Sequence, residues 1–326
     1  MLTESNFKAR KVVVVFANQG QKIKFKNDNI VVTDKEGKIL LQFTCYRIFM
    51  IYIIGGFTIT TGIVERAKKF GISICFMTAG FKYYESLNYF TRGNTLLVSK
   101  QYNCPNSEEI AKLIIKNKIR NQRKTLLSTR KKEVKEGVSM LDEALLRLNE
   151  DNLTIAKIMG IEGTAAKVYF NRIFNVVDWN GRQPRIKRDI INLLLDIGYT
   201  VLFNYIDAIA SIYGFDVYKG NLHQEFYNRK SLICDFVEPF RVIVDKKIRN
   251  MYALNQIKEE DFKCIHGKWN LNYKSSTNYT VEFITETNKY SVSIFRFVQS
   301  YYRWFTKDST NTENFPSAEV YKNDPN

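Results

Sequence analysis

Four side chains have the types and spacing to do chemistry on a charged substrate: Glu162, His223, Asp235 and Glu238. His223 is one of only 2 histidines among 326 residues. Asp235 and Glu238 lie three positions apart, which on a helix puts both carboxylates on one face. An imidazole with two carboxylates is a donor set for a hard divalent ion, and a net charge of +16 suits a polyanion-binding protein. In one straight helix His223 and Glu238 would be roughly 22 Å apart. The chain must therefore turn between Tyr227 and Ser231, with Asn228 or Ser231 as N-cap of a helix carrying Asp235 and Glu238. Pro239 predicts a kink beside Glu238, because proline cannot donate to the Asp235 carbonyl and biases its predecessor away from helical geometry.

Glu162 sits in TIAKIMGIEGTAAKVYFNRIF, a helix opened by Thr154 with Ile158, Ile161, Ala165 and Val168 on an apolar stripe. Gly160 and Gly163 flank it, and glycines inside a helix are costly unless something approaches closely. A carboxylate there is either exposed on the far face or buried with a partner or a metal, and the apolar setting favours burial.

The elements that must position these residues fall into an α+β, two-domain pattern: a small N-terminal mostly-β domain, then a larger all-helical domain. In residues 1–95, Lys11–Phe16, Lys22–Lys26, Ile30–Thr33, Ile39–Phe43 and Ile72–Met77 read as strands. Thr61–Phe70 reads as a helix ended by Gly71. The pattern breaks at Gly93-Asn94 and Asn103-Cys104-Pro105, which places a linker at 96–105. Asn106 and Glu109 form a capping box that opens the helical domain, 106–305. Asp189–Tyr213 is a strongly apolar core helix, and helix continues from Ser231 to about Leu254. Residues 263–285 alternate weakly and read as a hairpin or ordered loop, Asn288–Phe305 is a last helix, and the polar tail 306–326 reads as disordered.

Hydrophobic content of 45% and aromatic content of 14% exclude a disordered chain. Lys116 to Lys135 holds nine Lys or Arg and one acid, Glu133. Such a run is either a solvated face or a phosphate-binding surface through Lys116, Lys118, Arg120, Arg123 and Lys124. The 5 cysteines show no CxxC pair, which fits free thiols in a reducing cytoplasm. The apolar run Ile48–Ile59 is too short to span a bilayer.

Taken in order, Glu162-Gly163-x-Ala165-Ala166-x-x-Tyr169-Phe170, Leu222-His223 and Ser231-Leu232-x-x-Asp235-x-x-Glu238-Pro239-Phe240-Arg241 resemble the CRISPR adaptation (spacer-acquisition) integrase family, the universal CRISPR-associated protein one. Arg182 with Pro184, Asp189, Asn192, Gly198 and Tyr199 extend the resemblance over most of the chain. Val217 and Ile190 depart from it, standing where the family often has proline.

The resemblance implies a β domain followed by a helical catalytic domain. It implies that Glu162, His223 and Glu238 hold Mg²⁺ or Mn²⁺, with Asp235 as a further acidic active-site residue. It also implies integration of short double-stranded DNA, as new spacers, into a CRISPR repeat array by two 3′-hydroxyl transesterifications. The implied partners are double-stranded DNA, a second subunit paired through the β domains, and the small CRISPR-associated protein two, in a prokaryotic cytoplasm. Arg182 and Arg241 join the candidate DNA contacts. The alternatives are a metal-dependent DNA endonuclease and a non-catalytic nucleic-acid scaffold. Read without the resemblance, His223 is a cap or core group, Glu238 with Arg241 is only an intrahelical ion pair, and His266 is structural.

Overall fold

The computed structural model describes residues 2–88, 93–129, 134–177, 179–184 and 186–321. After α1 (Glu4–Lys8) the chain runs through β1 (Lys11–Phe16), β2 (Lys22–Lys26), β3 (Asn29–Thr33), β4 (Ile39–Thr44), β5 (Ile48–Ile54), α2 (Thr61–Phe70), β6 (Ser73–Met77) and β7 (Tyr83–Leu87). β1, β5 and β6 pair in parallel and β7 adds antiparallel, in the order β1-β5-β6-β7. β2, β3 and β4 form a separate antiparallel sheet. Gly71 ends α2 in the left-handed conformation, as its sequence position predicts.

β5 explains how the two parts join. All of it is buried, because successive side chains enter different cores. Met50, Tyr52 and Ile54 belong to the large core shared with the helices. Ile51 and Ile53 pack with Val13, Val15 and Ile63 in a smaller core. The Tyr52 hydroxyl donates to the Val201 carbonyl at 3.1 Å. A strand covered on both faces has no polar alternation, which is why the run reads only as an apolar segment in the sequence.

The helical part comprises α3 (Thr95–Tyr102), α4 (Ser107–Ser128), α5 (Lys135–Arg147), α6 (Ile155–Ile173), α7 (Ile190–Ser211), α8 (Ser231–Val237) and α9 (Arg241–Ala253). A hairpin, β8 (Phe262–Ile265) with β9 (Lys268–Leu271), precedes α10 (Tyr273–Lys289) and α11 (Ser291–Asp308). α7 is long and apolar enough to cross a membrane by composition, yet 83% of its apolar window is buried inside the protein. It is the core helix, contacting α8, α9, α10 and α11.

Three sequence expectations are corrected. The stretch 96–105 contains most of α3, with Asn94 as a side-chain N-cap and Leu97 buried. Gln101 on α3 donates to the Asp216 carbonyl at 3.0 Å and accepts from the Asp216 N–H at 2.9 Å. An N-cap asparagine was thus indistinguishable from a loop asparagine. Residues 273–285 are helical, with Tyr279 and Phe283 buried one turn apart. The tail is not disordered as far as residue 321: Ala318 and Val320 are buried, and the Asn117 and Asn121 side chains donate to the Pro316 and Ala318 carbonyls at 3.0 and 2.7 Å. Residues 322–326 of the tail, and Arg130 to Glu133 of the basic stretch, lie outside the described residues.

Candidate active site

Glu162 is delivered by α6, which Thr154 caps by accepting from the Lys157 N–H at 3.4 Å. Ile158, Ile161, Ala165 and Tyr169 bury one face of this helix and leave the Glu162 side chain 25% exposed. A Cβ on Gly160 or Gly163 would meet nothing within 4 Å. Neither glycine is required by a neighbour within the chain, and Gly163 leaves bare backbone in the lining of a cleft.

Glu238 arrives from the other side. The chain turns at Tyr227-Asn228, with Asn228 at φ 58, and α8 starts at Ser231. Its N-cap residue is Lys230 rather than Asn228 or Ser231. Glu238-Pro239-Phe240 then forms a single 3₁₀ turn joining α8 to α9, so the proline sits where the regular hydrogen-bond ladder is already interrupted. The Lys230 ammonium, 2.8 Å from Asp207, and Ser86 and Asn88, which also bond that carboxylate, tie the start of α8 to α7 and to the segment around β7.

The two carboxylates meet on Lys118. Its ammonium pairs with Glu162 and lies 2.6 Å from Glu238 Oε2. Arg241 completes Glu238 with two bonds, 3.0 Å from Nε and 2.9 Å from Nη2. Burial would raise the Glu238 pKa, but the Arg241 and Lys118 charges hold it well below the usual carboxylate range. Burial would likewise lower Lys118, and the Glu238 and Glu162 carboxylates hold it above the usual lysine value. Lys118, placed by the sequence on either a solvated face or a phosphate-binding surface, is instead buried between two acids. Of its neighbours on α4, Arg120 and Lys124 are exposed, Lys116 is partly buried, and Arg123 pairs with Asp142 at 2.6 Å.

His223 and Asp235 form a separate unit. Asp235 is buried and accepts from the Asn221, Leu222 and His223 N–H groups at 2.6, 3.0 and 3.0 Å. The His223 ring Nδ1 lies 2.7 Å from Asp235 Oδ1. In that arrangement Nδ1–H donates, the carboxylate fixes the tautomer, and Nε2 keeps its lone pair for a ligand. Gly220 permits the close packing of this loop, since a Cβ there would stand 2.7 Å from the His223 carbonyl. Asp235 therefore positions His223.

Glu162, Lys118, Glu238 and Arg241 line a cleft of about 1140 Å³, together with Lys82, Lys167, Arg182 and Lys187. Arg182 is held by Asn192 at 2.9 Å and Asp196 at 2.6 Å. The Tyr199 ring lies beneath the Arg241 guanidinium, 4.5 Å from its centroid, and within 5.5 Å of Arg182. The fit to a hard divalent ion can be tested on these groups. Two carboxylates from separate elements converge on one cation, and Gln122 Oε1, in the same lining, has no hydrogen-bond partner among the described residues. The carboxylate pair fits such an ion. His223 is not in the cleft lining, and no three His, Cys, Asp or Glu among the described residues are gathered closely enough to hold an ion as they stand.

Lys118 was missed as a partner of the site, although a signal existed. Asn117, Lys118, Asn121, Gln122 and Thr125 repeat at helical spacing and are all buried. A polar stripe with the period of a buried helix face marks a face that binds something polar.

The family described as CRISPR associated protein Cas1 matches residues 14–285. A CRISPR-associated endonuclease Cas1 of Thermodesulfovibrio yellowstonii is 33% identical over 227 residues, covering 65% of this chain and 71% of that protein. Another from Archaeoglobus fulgidus is 28% identical over 272 residues, covering 74% and 78%. Among solved structures, a casposase bound to integration product superposes with a TM-score of 0.77 at 21% identity, covering 96% of each chain. A Cas1 protein from Thermotoga maritima gives 0.76 at 20% identity, covering 92% of this chain and 98% of that one. At these identities the structures establish the shared fold. The match of the family along most of the sequence establishes more: this chain belongs to the Cas1 family of CRISPR-associated proteins.

Proposed function

We propose that the protein is a divalent-metal-dependent DNA integrase that inserts short duplexes into a CRISPR repeat array. The observation that carries this reading is the convergence of Glu162 and Glu238, from α6 and from the turn between α8 and α9, in a cleft whose lining also carries Lys82, Lys118, Lys167, Arg182, Lys187 and Arg241. Glu162, Glu238 and His223 would hold Mg²⁺ or Mn²⁺, which when bound polarises a phosphate and stabilises charge on the attacking and leaving oxygens. Lys82, Lys167, Arg182, Lys187 and Arg241 would take the DNA backbone, and Arg120 and Lys124, exposed on the side of α4 away from Lys118, would be a separate contact. Each strand transfer forms one phosphodiester to the incoming 3′-hydroxyl and breaks one in the target, releasing a target 3′-hydroxyl. No protein nucleophile or external energy source is needed.

The relatives carry the name endonuclease, and water in place of the 3′-hydroxyl turns the same site into one. The test is a strand-transfer assay with purified protein, a 3′-hydroxyl duplex and a plasmid bearing the repeat, with and without Mn²⁺. It should be run with and without the small CRISPR-associated protein two, which is named beside Cas1 in the Cas6-RT-Cas1–Cas2 complex, one chain of which is similar to this one over 36% of its length. Glu162→Ala and His223→Ala are expected to lose transfer by about a thousandfold or more while duplex binding stays within a few fold. Transfer retained by either variant would remove the site assignment, and cleavage without joining would favour the nuclease.

Pairing of two subunits through the β domains is supported by β4. It is an edge strand, and it exposes Ile39, Leu40 and Leu41 in succession. Leu40→Lys is expected to shift the protein from dimer to monomer in sedimentation velocity. An unchanged dimer would place the interface elsewhere.

A further inference from the structure

Lys118 stands where a divalent ion bridging Glu162 and Glu238 would have to stand, and one position between two carboxylates cannot hold both cations. We infer that Lys118 is the built-in counter-cation of this pair: it occupies the seat between the two glutamates before metal arrives, and its displacement sets the affinity for metal. This inference rests on Glu162 and Glu238 being metal ligands.

The charges point the same way. Glu162 and Glu238 are matched by two cations, Lys118 and Arg241, so an ion arriving with Lys118 in place would find both carboxylates already paired. With the ammonium withdrawn, the pair presents a net negative seat. Glu238 would keep its orientation, because Arg241 grips both of its oxygens. Among the described residues the Glu162 carboxylate pairs with Lys118 alone, so it is the ligand freed by the exchange.

The backbone of Lys118 is not free to follow. Asn117 and Asn121, one on each side of it, are bonded to carbonyls of the tail, and Asn121 also to the Pro239 carbonyl at 2.8 Å. The exchange therefore falls to the four-carbon side chain. Lys118 already lines the cleft, where the ammonium would remain available to a phosphate oxygen.

A merely orienting lysine and a competing one predict opposite signs. Removing an orienting group weakens metal binding, whereas removing a competitor strengthens it. Mn²⁺ binding to the whole protein, followed by calorimetry and by the electron paramagnetic resonance of free Mn²⁺, should be about tenfold or more tighter for Lys118→Met than for the wild type. In chelator the variant should melt below the wild type, and Mn²⁺ should raise its melting temperature more. A folded Lys118→Met that binds Mn²⁺ equally or more weakly overturns the inference. Mn²⁺ bound by neither protein removes the metal reading as well.

Should Lys118→Met fail to fold, the unsubstituted protein labelled with ¹⁵N-lysine gives the answer. Saturating Mg²⁺ must move the Lys118 ammonium resonance. A resonance unmoved at saturation overturns the inference.

Discussion

At the scale of single residues, Asp245 shows how the cleft wall constrains the protein. It is buried and accepts from the Tyr199 hydroxyl at 2.5 Å. Burial lifts its pKa from 3.8 to about 6, against the lowering effect of the Tyr199 bond. The folded carboxyl therefore keeps its proton to higher pH than the unfolded one. Between about pH 4 and pH 6 the native state binds more protons, so this group makes stability fall as pH rises through that window and leaves it lower above. Glu238 acts in the opposite sense at lower pH: its depressed pKa contributes stability that is lost as pH falls below the ordinary glutamate value. Asp245→Asn should remove the fall between pH 4 and pH 6 and be more stable than the wild type at pH 8 by on the order of 2 kcal/mol. Thermal melts across pH check this, and parallel profiles for the two proteins would contradict it. The residue types of the site were legible from spacing, including the forced turn before Ser231. The contacts of Asp235, which gathers three N–H groups and an imidazole, were not, because they depend on a loop that no local spacing describes.

At the scale of elements, packing decides between glycines that look alike. Gly198 lies where α7 meets α9 and α10: a Cβ there would be 2.3 Å from Val244 Cγ1 and 3.1 Å from Phe283 Cδ1. Gly198→Ala should cost about 2 kcal/mol by forcing these helices apart. Gly160→Ala, in open space on α6, should add up to about 1 kcal/mol through helix propensity. Chemical denaturation of both variants checks the pair, and equal effects would contradict the packing account. β1 and β2 were readable to the residue because their runs are bounded by turn signals. α3 was not, because its break residues serve as caps. α10 was misread because Trp269, Leu271 and Tyr273 alternate up to the point where the hairpin gives way to the helix.

At the scale of the whole molecule, the site depends on chain ends that composition alone would discard. Residues of the tail accept hydrogen bonds from Asn117 and Asn121, on either side of Lys118, and Asn121 also bonds the carbonyl of Pro239, beside Glu238. A polar, proline-containing tail reads as disordered because it is held through its own backbone carbonyls, which every residue possesses. The β and helical parts likewise share one large core through β5 and α7. The order of elements revealed the two-part fold, but the shared core depends on tertiary contacts that no local pattern carries.

We propose Glu162, Glu238 and His223 as the ligands of one divalent cation. Crystals grown with Mn²⁺ and measured at the manganese absorption edge test it most directly. An anomalous peak within about 2.5 Å of both glutamate carboxylates and of His223 Nε2, with Lys118 withdrawn, is the expected result. Manganese bound only elsewhere, with Lys118 still bridging the two glutamates, would contradict it.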